Sequence, residues 1–489
     1  MPKNFWFFTF FLKSALLLGL AITGTASQAQ LRVATWNISF WRASDINASR
    51  IAAFKTAIYG TYLGRSLAPD ILMIQEVYTA ADLDTFKNLM NTAPGSPGDW
   101  ATATFVSGPD SESCMLYRTS KVDIVNIVSG ITTFTGDSFI ASLGTTNTSL
   151  PPRHGIRYIV RPKGYSANQT ALAMYNLHMK SGSSGTDQSR RLIEADRIVA
   201  DAQGLPTGVN FLVAGDFNIQ SSSQAAYVSY VGTTAIPGPF FDPIKTPGSW
   251  NNNNSYRNVH TQDPGFGIPG GPSPGYMDDR LDFILLSAGL INGTGLDYIG
   301  NPNVAYAAAS SIPTWDDPNH SYRSWGNDGM TFNTGLNPLT NTMTGPVITQ
   351  AILDSLVNGA GHLAVVLNMK VPPKVSVDTL SLDFGYIRLG TQLALPVVVM
   401  NAGNTALWNV SGIDNLNYSF VPTSNFAVSA GTGIDTASAG GNTHNVIFSA
   451  ETAGRFSQII TLNSNDPDVP SININCTGVA VGRTTRNPR

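Results

Sequence analysis

Cysteine is almost missing from this chain: Cys114 and Cys476 are the only two among 489 residues. They fall on opposite sides of a change in composition near residue 370, so no structural disulfide is expected. Stability must then come from a core large enough to need none. Charge is also scarce. Asp, Glu, Lys and Arg make up only 12% of the chain, while glycine is abundant at 46 residues, which argues against a helical bundle and for a loop-rich β or α/β protein. There is no excess of positive charge. The formal balance is −3, and losing the first 29 residues, with Lys3 and Lys13 and no acid, makes it −5. No global basic field advertises nucleic acid, although a local basic groove stays open. Long apolar runs are lacking after the N-terminus. The one near the start has Lys3, an apolar core from Ser14 to Ile22 and a small-x-small site at Ser27-Gln28-Ala29. It predicts a signal peptide over 1–29, cleaved near Ala29, and a secreted, periplasmic or surface protein whose mature chain has no transmembrane segment. The Phe-rich lead leaves an uncleaved anchor as the alternative.

The remaining sequence alternates short apolar runs with amphipathic stretches. Strands are predicted at 31–37, 70–76, 114–117, 122–128, 153–160, 171–178, 211–219, 280–286 and 362–369. Helices are predicted at 45–66, 80–91, 187–203 and 348–358. Residues 219–275 and 291–346 read as long polar loops of the kind that carry function. Lys370–Lys374 reads as a linker, and 375–481 has the short, turn-punctuated alternation of an all-β sandwich, followed by a tail at 482–489.

Polar residues recur where the strands stop: Asn37, Glu76, His178, Asp216, Asn218, Asp282 and His362. Asp216 and Asn218 have the period of a strand and are expected to share a face; the competing reading is a plain turn. Each residue taken alone has a bland explanation, since a Glu at a strand end is usually solvated and a single His usually caps a hydrogen bond. Two of only six His residues at equivalent strand tips, beside two Asp, a Glu and two Asn, point instead to one cleft. The set suits phosphate-ester hydrolysis. Glu offers a hard oxygen to Mg²⁺, Asp can orient or deprotonate water, and His with an Asp partner can stay cationic against phosphoryl oxygens.

The motifs Trp-Asn37, Gln-Glu76, Asn-Leu-His178, Gly-Asp216-Phe-Asn218 and Arg-Leu-Asp282, in this order, resemble the endonuclease/exonuclease/phosphatase superfamily over residues 30–370. The resemblance implies a four-layer α-β-β-α sandwich and a Mg²⁺-dependent phosphoesterase (Mn²⁺ or Ca²⁺ being alternatives) that forms no covalent intermediate. Carried over by motif, Glu76 and Asn37 would hold the metal, Asp216 would activate water and Asn218 would bind phosphate. His178 and His362 would flank the scissile phosphate, with Asp282 orienting His362. Arg153 would contact phosphate, and Asp279 competes for the role of Asp282. The sequence departs from the family at Ala360-Gly361-His362-Leu363, where Ser-Asp-His is usual. Either Glu76 and Asn37 hold the metal with help from an acid such as Asp328, or the domain is a catalytically impaired binding or adhesion protein.

Leu382-Asp-Phe-Gly385, Asn401-Ala-Gly403 and Asn463-Ser-Asn-Asp466-Pro resemble Ig-like domains of the ASPM/SPD-2/Hydin type. That implies a spacing, attachment or partner-contact module for a surface or another protein. Nucleic acid, a phospholipid head group and a sugar phosphate all stay open as substrates, nucleic acid being the simplest.

Overall fold

The computed structural model describes residues 30–267, apart from Pro109 and parts of 126–149, together with 276–306, 317–337 and 348–482. The predicted signal peptide and the C-terminal tail after residue 482 lie outside the described residues.

Two seven-stranded sheets form the centre of residues 30–370. The first holds β1 (Leu31–Trp41), β2 (Ile71–Val77), β3 (Trp100–Thr102), β4 (Glu112–Arg118), β14 (Asp297–Tyr298), β15 (Arg323–Ser324) and β16 (Val365–Lys370). The second holds β5 (Val122–Ile124), β8 (Asp137–Phe139), β9 (Ile156–Pro162), β10 (Leu172–His178), β11 (Asn210–Asp216), β12 (Phe240–Phe241) and β13 (Asp282–Ser287). A separate hairpin pairs β6 (Ile127–Ser129) with β7 (Thr132–Phe134). Each sheet is built on one parallel pair, β1 with β2 and β10 with β11, flanked by antiparallel strands.

Alternation along the strands decides the layers. Val33, Ile71 and Met73 turn inward and meet Met174, Leu212 and Ile284 of the second sheet. Ala34, Trp36, Leu72 and Ile74 turn outward and are covered by Phe54, Phe86 and Leu353. Those three come from α1 (Ala48–Tyr59), α2 (Ala80–Thr92) and α5 (Gln350–Gly359). The second sheet is covered by α3 (Gly185–Gln203) and α4 (Ala225–Val231), through Ala195, Ile198, Ala226 and Tyr230. This is the expected α-β-β-α order. Side chains start the helices where the sequence supplies them: Asn47 caps α1, Thr79 caps α2, and Ser184 with Asp187 closes a capping box on α3.

The predicted elements shift at their ends. The helix expected over 45–66 is trimmed to α1, because Gly60 and the turn at Tyr62–Arg65 end it. The strand expected to begin at His362 begins at Val365, which leaves His362 in the preceding turn. The polar stretch 219–275 contains α4, missed because seven residues show barely two helical repeats.

Residues 375–481 form an all-β module of two sheets. One holds β17 (Val375–Val377), β19 (Gln392–Asn401), β21 (Phe426–Val428) and β23 (Asn442–Ser449). The other holds β18 (Ser381–Arg388), β20 (Leu416–Val421), β22 (Thr432–Asp435), β24 (Gly454–Ser464) and β25 (Ser471–Val481). A short α6 (Thr405–Trp408) interrupts them. The predicted linker is pinned rather than loose: Val371 N–H donates to Gly412 O at 2.9 Å and Asp414 N–H donates to Val371 O at 2.8 Å. Both cysteines are free and buried, as the spacing implied.

Candidate active site

Parallel pairing brings β1 and β2 to the same rim, where Asn37 stands opposite Gln75; the strand expected to stop at Asn37 runs on to Trp41, and Asn37 marks the point where the register breaks. In the other sheet His178 pairs with Asp216, and Asp216 with Asp282, so three site residues occupy adjacent strands at one level. The rims face each other. Gln75 Nε2 donates to Asn176 Oδ1 at 2.7 Å between the sheets, and Asn37 Nδ2 donates to Asp216 Oδ2 at 3.0 Å.

Asp216 Oδ2 is the meeting point. His178 Nε2 lies 3.4 Å from it and His362 Nε2 3.8 Å. Asn37 Nδ2 also donates to Glu76 Oε1 at 3.0 Å, and Phe40 N–H donates to Glu76 Oε2 at 2.7 Å. His362 Nδ1 is paired with Asp282 Oδ2 at 2.8 Å. Residues scattered from 37 to 362 therefore converge on one rim. Glu76, Arg153, His178, Asp216, Asn218 and His362 line one cavity of about 310 Å³. Roomier cavities of about 620 and 660 Å³ lie elsewhere, but neither receives any of these strand-end residues.

The placements of Asn218 and Asp328 differ from expectation, and that of Asp279 separates it from Asp282. Asn218 does not continue the strand. It sits at φ +51° beyond Asp216, donating its N–H to Asp216 Oδ1 at 3.0 Å and its Nδ2 to Met179 O at 3.1 Å. The left-handed turn, which Asn tolerates, leaves it on the cavity wall. Asp279 is held by Asn251 Nδ2 at 2.9 Å and does not line the cavity; the acid bonded to His362 is Asp282. Asp328 caps its own turn, accepting from Met330 N–H at 2.9 Å and from Thr331 N–H at 2.7 Å, and it too is off the cavity. Arg153 is on the wall, paired with Asp110 at 2.9 Å.

Burial sets the charges. It pushes the Asp216 carboxyl up to about 7, with His362 opposing and Asp282 reinforcing. Burial also acts against charge on His362, but Asp282 and Asp216 outweigh it and raise that imidazole to about 10. His178, buried and next to Arg153 and His362, is lowered well below the usual range. One imidazole is thus kept cationic and the other neutral on either side of one acid.

The family model for the endonuclease/exonuclease/phosphatase family matches residues 34–303, more than half of the chain. This chain belongs to the endonuclease/exonuclease/phosphatase family. Among solved structures it is similar to the human Nocturnin catalytic domain with bound sulfate anion, at 14% identity and TM-score 0.38, covering 70% of this chain and 95% of that one. It is also similar to D. rerio TDP2 complexed with single strand DNA product, at 13% identity and TM-score 0.39, covering 70% and 100%. A third is the Bacteroides thetaiotaomicron VPI-5482 mannosyl-6-phosphatase Bt3783, at 15% identity and TM-score 0.38, covering 69% and 99%. No curated protein matches at the level of sequence. Members of the endonuclease/exonuclease/phosphatase family are phosphoric ester hydrolases and generally use divalent metal ions. Among the described residues, no helix is long and apolar enough to cross a membrane.

The donors at the rim suit a hard divalent cation. Glu76 offers a carboxylate beside the amide of Asn37. Among the described residues no three His, Cys, Asp or Glu side chains come together to hold an ion alone. Mg²⁺ characteristically takes one or two carboxylates and keeps several waters, so a sparse oxygen set is compatible with it.

The sequence reading missed the segment Thr261–Asp263. Thr261 Oγ1 donates to Asp282 Oδ2 at 2.6 Å, and Gln262 Nε2 reaches His362 Nε2 at 3.5 Å. It also missed Arg50, which donates to Gly359 O at 2.9 Å and to the carbonyls of Ile38 and Ser39. Arg50 thereby clamps the bend that presents Phe40 N–H to Glu76. Nothing in the residue pattern marks either, because Arg50 bonds to backbone carbonyls, which carry no side-chain signal, and Gln262 meets His362 a hundred positions on.

Proposed function

We propose that this chain is a secreted, divalent-metal-dependent phosphodiesterase, most simply a nuclease, that hydrolyses its substrate by direct attack of water. The observation that carries this reading is the convergence of Asn37, His178 and His362 on Asp216 Oδ2, with Asp282 behind His362. Asp216 orients the attacking water and accepts its proton, a role suited to a carboxyl raised to about 7. Cationic His362, kept charged by Asp282, stabilises the charge that develops on the phosphoryl oxygens. His178, Asn218 and Arg153, on the wall of the same cavity, bind the phosphate. Glu76 and Asn37 would hold Mg²⁺, or Mn²⁺ or Ca²⁺, which supplies Lewis-acid neutralisation of the phosphate. The signal-like leader motivates export, and the all-β module, Ig-like by its sequence motifs, is assigned to surface or protein contact.

The test is hydrolysis of plasmid DNA, RNA and a chromogenic phosphodiester by the folded full chain, with Mg²⁺ and with chelator. Metal-dependent cleavage of one of them is expected; failure on all three would end the nuclease reading. A phospholipid and a sugar phosphate in the same panel cover the other phosphoester classes. Gly361 favours a second reading, an impaired binding or adhesion protein on the same fold. That reading gains if calorimetry finds no Mg²⁺ or Mn²⁺ binding.

A further inference from the structure

Position 361 has no side chain, but the place a side chain would enter is not empty of carboxylate. A Cβ built on Gly361 would lie 3.7 Å from Asp263 Oδ2, 3.2 Å from Ser39 Oγ and 3.8 Å from Phe266 Cδ1. Asp263 is buried, at 7% exposure, and lines the same cavity as Glu76, Asp216 and His362.

Its position follows from pairing. Gln262 bridges His362 in antiparallel fashion, and Leu363 N–H donates to Thr261 O at 2.8 Å. In that register residue 263 stands across from residue 361, where cross-strand side chains occupy neighbouring space. The three consecutive residues each meet a different part of the site: Thr261 meets Asp282, Gln262 meets His362, and Asp263 meets Gly361. The Asp263 carboxylate is also oriented. Its Oδ1 accepts from Gly265 N–H at 2.8 Å and Phe266 N–H at 2.9 Å, and its Oδ2 is the carboxylate oxygen nearer position 361. Phe266 is in turn stacked under Arg50, the guanidinium lying 5.1 Å from the ring centroid, and Arg50 clamps the 38–40 bend that touches Glu76. Glu76 and Asp263 are thus linked through Phe266, Arg50 and the 38–40 bend. Two carboxylates at 361 and 263 would crowd and repel each other, so glycine at one and aspartate at the other form a compatible pair.

We propose that Asp263 supplies the carboxylate that position 361 lacks and, together with Glu76, binds the divalent cation of this site. The proposal rests on the metal-dependent reading above. It replaces Asp328, which the structure puts elsewhere, and it gives the site the two hard oxygen donors that Mg²⁺ commonly takes from protein.

Calorimetric titration of the full chain with Mg²⁺ and with Mn²⁺, without substrate, tests it. Asp263→Asn keeps an Oδ1 acceptor for the two backbone amides, so the turn should fold; far-UV circular dichroism and the melting temperature check this. The expected result is a loss of metal affinity of about 10-fold or more, together with loss of the metal-induced rise in melting temperature. The double variant Asp263→Asn with Gly361→Asp should recover most of both. Unchanged metal affinity in Asp263→Asn would overturn the assignment, as would a native chain that binds neither metal. The two readings fail separately. Binding that depends on Asp263 without hydrolysis of any phosphoester would remove the proposed function and leave this inference standing. Metal-dependent hydrolysis with affinity indifferent to Asp263 would do the reverse.

Discussion

His178 and His362 are the same side chain in two charge states, and their neighbours make the difference. His362 has Asp282 at 2.8 Å on one nitrogen and Asp216 at 3.8 Å from the other. His178 has burial and nearby Arg153 against it, and its buried Nδ1 has no hydrogen-bond partner among the described residues. If His178 contributes only in the reaction, His178→Ala should lower kcat by about 100-fold or more while leaving the melting temperature nearly unchanged; steady-state assay and thermal unfolding read the two. Asp282→Asn should let His362 lose its proton at lower pH, so the alkaline limb of the kcat–pH profile should move toward acid. Glu194 offers a third test away from the chemistry. It is fully buried, neither carboxylate oxygen has a hydrogen bond among the described residues, and burial pushes it up to about 8 despite Arg153, Arg197 and Arg191. The folded state holds this proton between about pH 4.5 and 8 while the unfolded chain releases it. Stability should therefore fall as pH rises through that window. Glu194→Gln should remove the slope and raise stability at pH 8 on the order of a few kcal/mol, measured by urea unfolding at pH 5 and pH 8.

At the scale of elements, legibility follows from how local the cause is. β2, β10 and β11 are apolar runs that stop at a polar residue, and buried strands leave that trace in any sequence. Glu76, His178, Asp216 and Asp282 are therefore readable as strand-end residues, whereas Asn37 lies inside β1 at a break in register. Asp263 is not readable in this way, because Asp-Pro-Gly reads as a turn and its meaning comes from pairing with residues about a hundred positions later. The turn at Asn218 stands only as the competing reading for a related reason: a period of two continues on paper past the point where the backbone leaves the strand. Gly215 shows how tightly the two parallel strands approach beside the acid. It lies at φ +143°, and an added Cβ would stand 2.0 Å from Leu177 O. Gly215→Ala should force β10 and β11 apart, lower stability by about 1–3 kcal/mol and displace Asp216. A lowered denaturation midpoint with a disproportionate loss of kcat would show both.

On the scale of the whole molecule, the all-β module is fastened to the end of the sheets away from the catalytic rim. Trp408 and Ile413 belong to the same apolar cluster as Leu296 and Val371. Lys121 lies 4.6 Å over the Trp408 ring and also donates to Leu407 O. Asp468 accepts from Ser166 N–H at 2.9 Å and Ala167 N–H at 2.6 Å, and it pairs with Lys374. Trp408→Ala should cost about 3–5 kcal/mol, and because the cluster spans both parts, calorimetry should show the catalytic part melting earlier with it. Metal affinity should be untouched. The arrangement also has an orientation. A fusion partner joined beyond residue 481 would stand on the side of the sheets opposite the cavity that Glu76, Asp216 and His362 line.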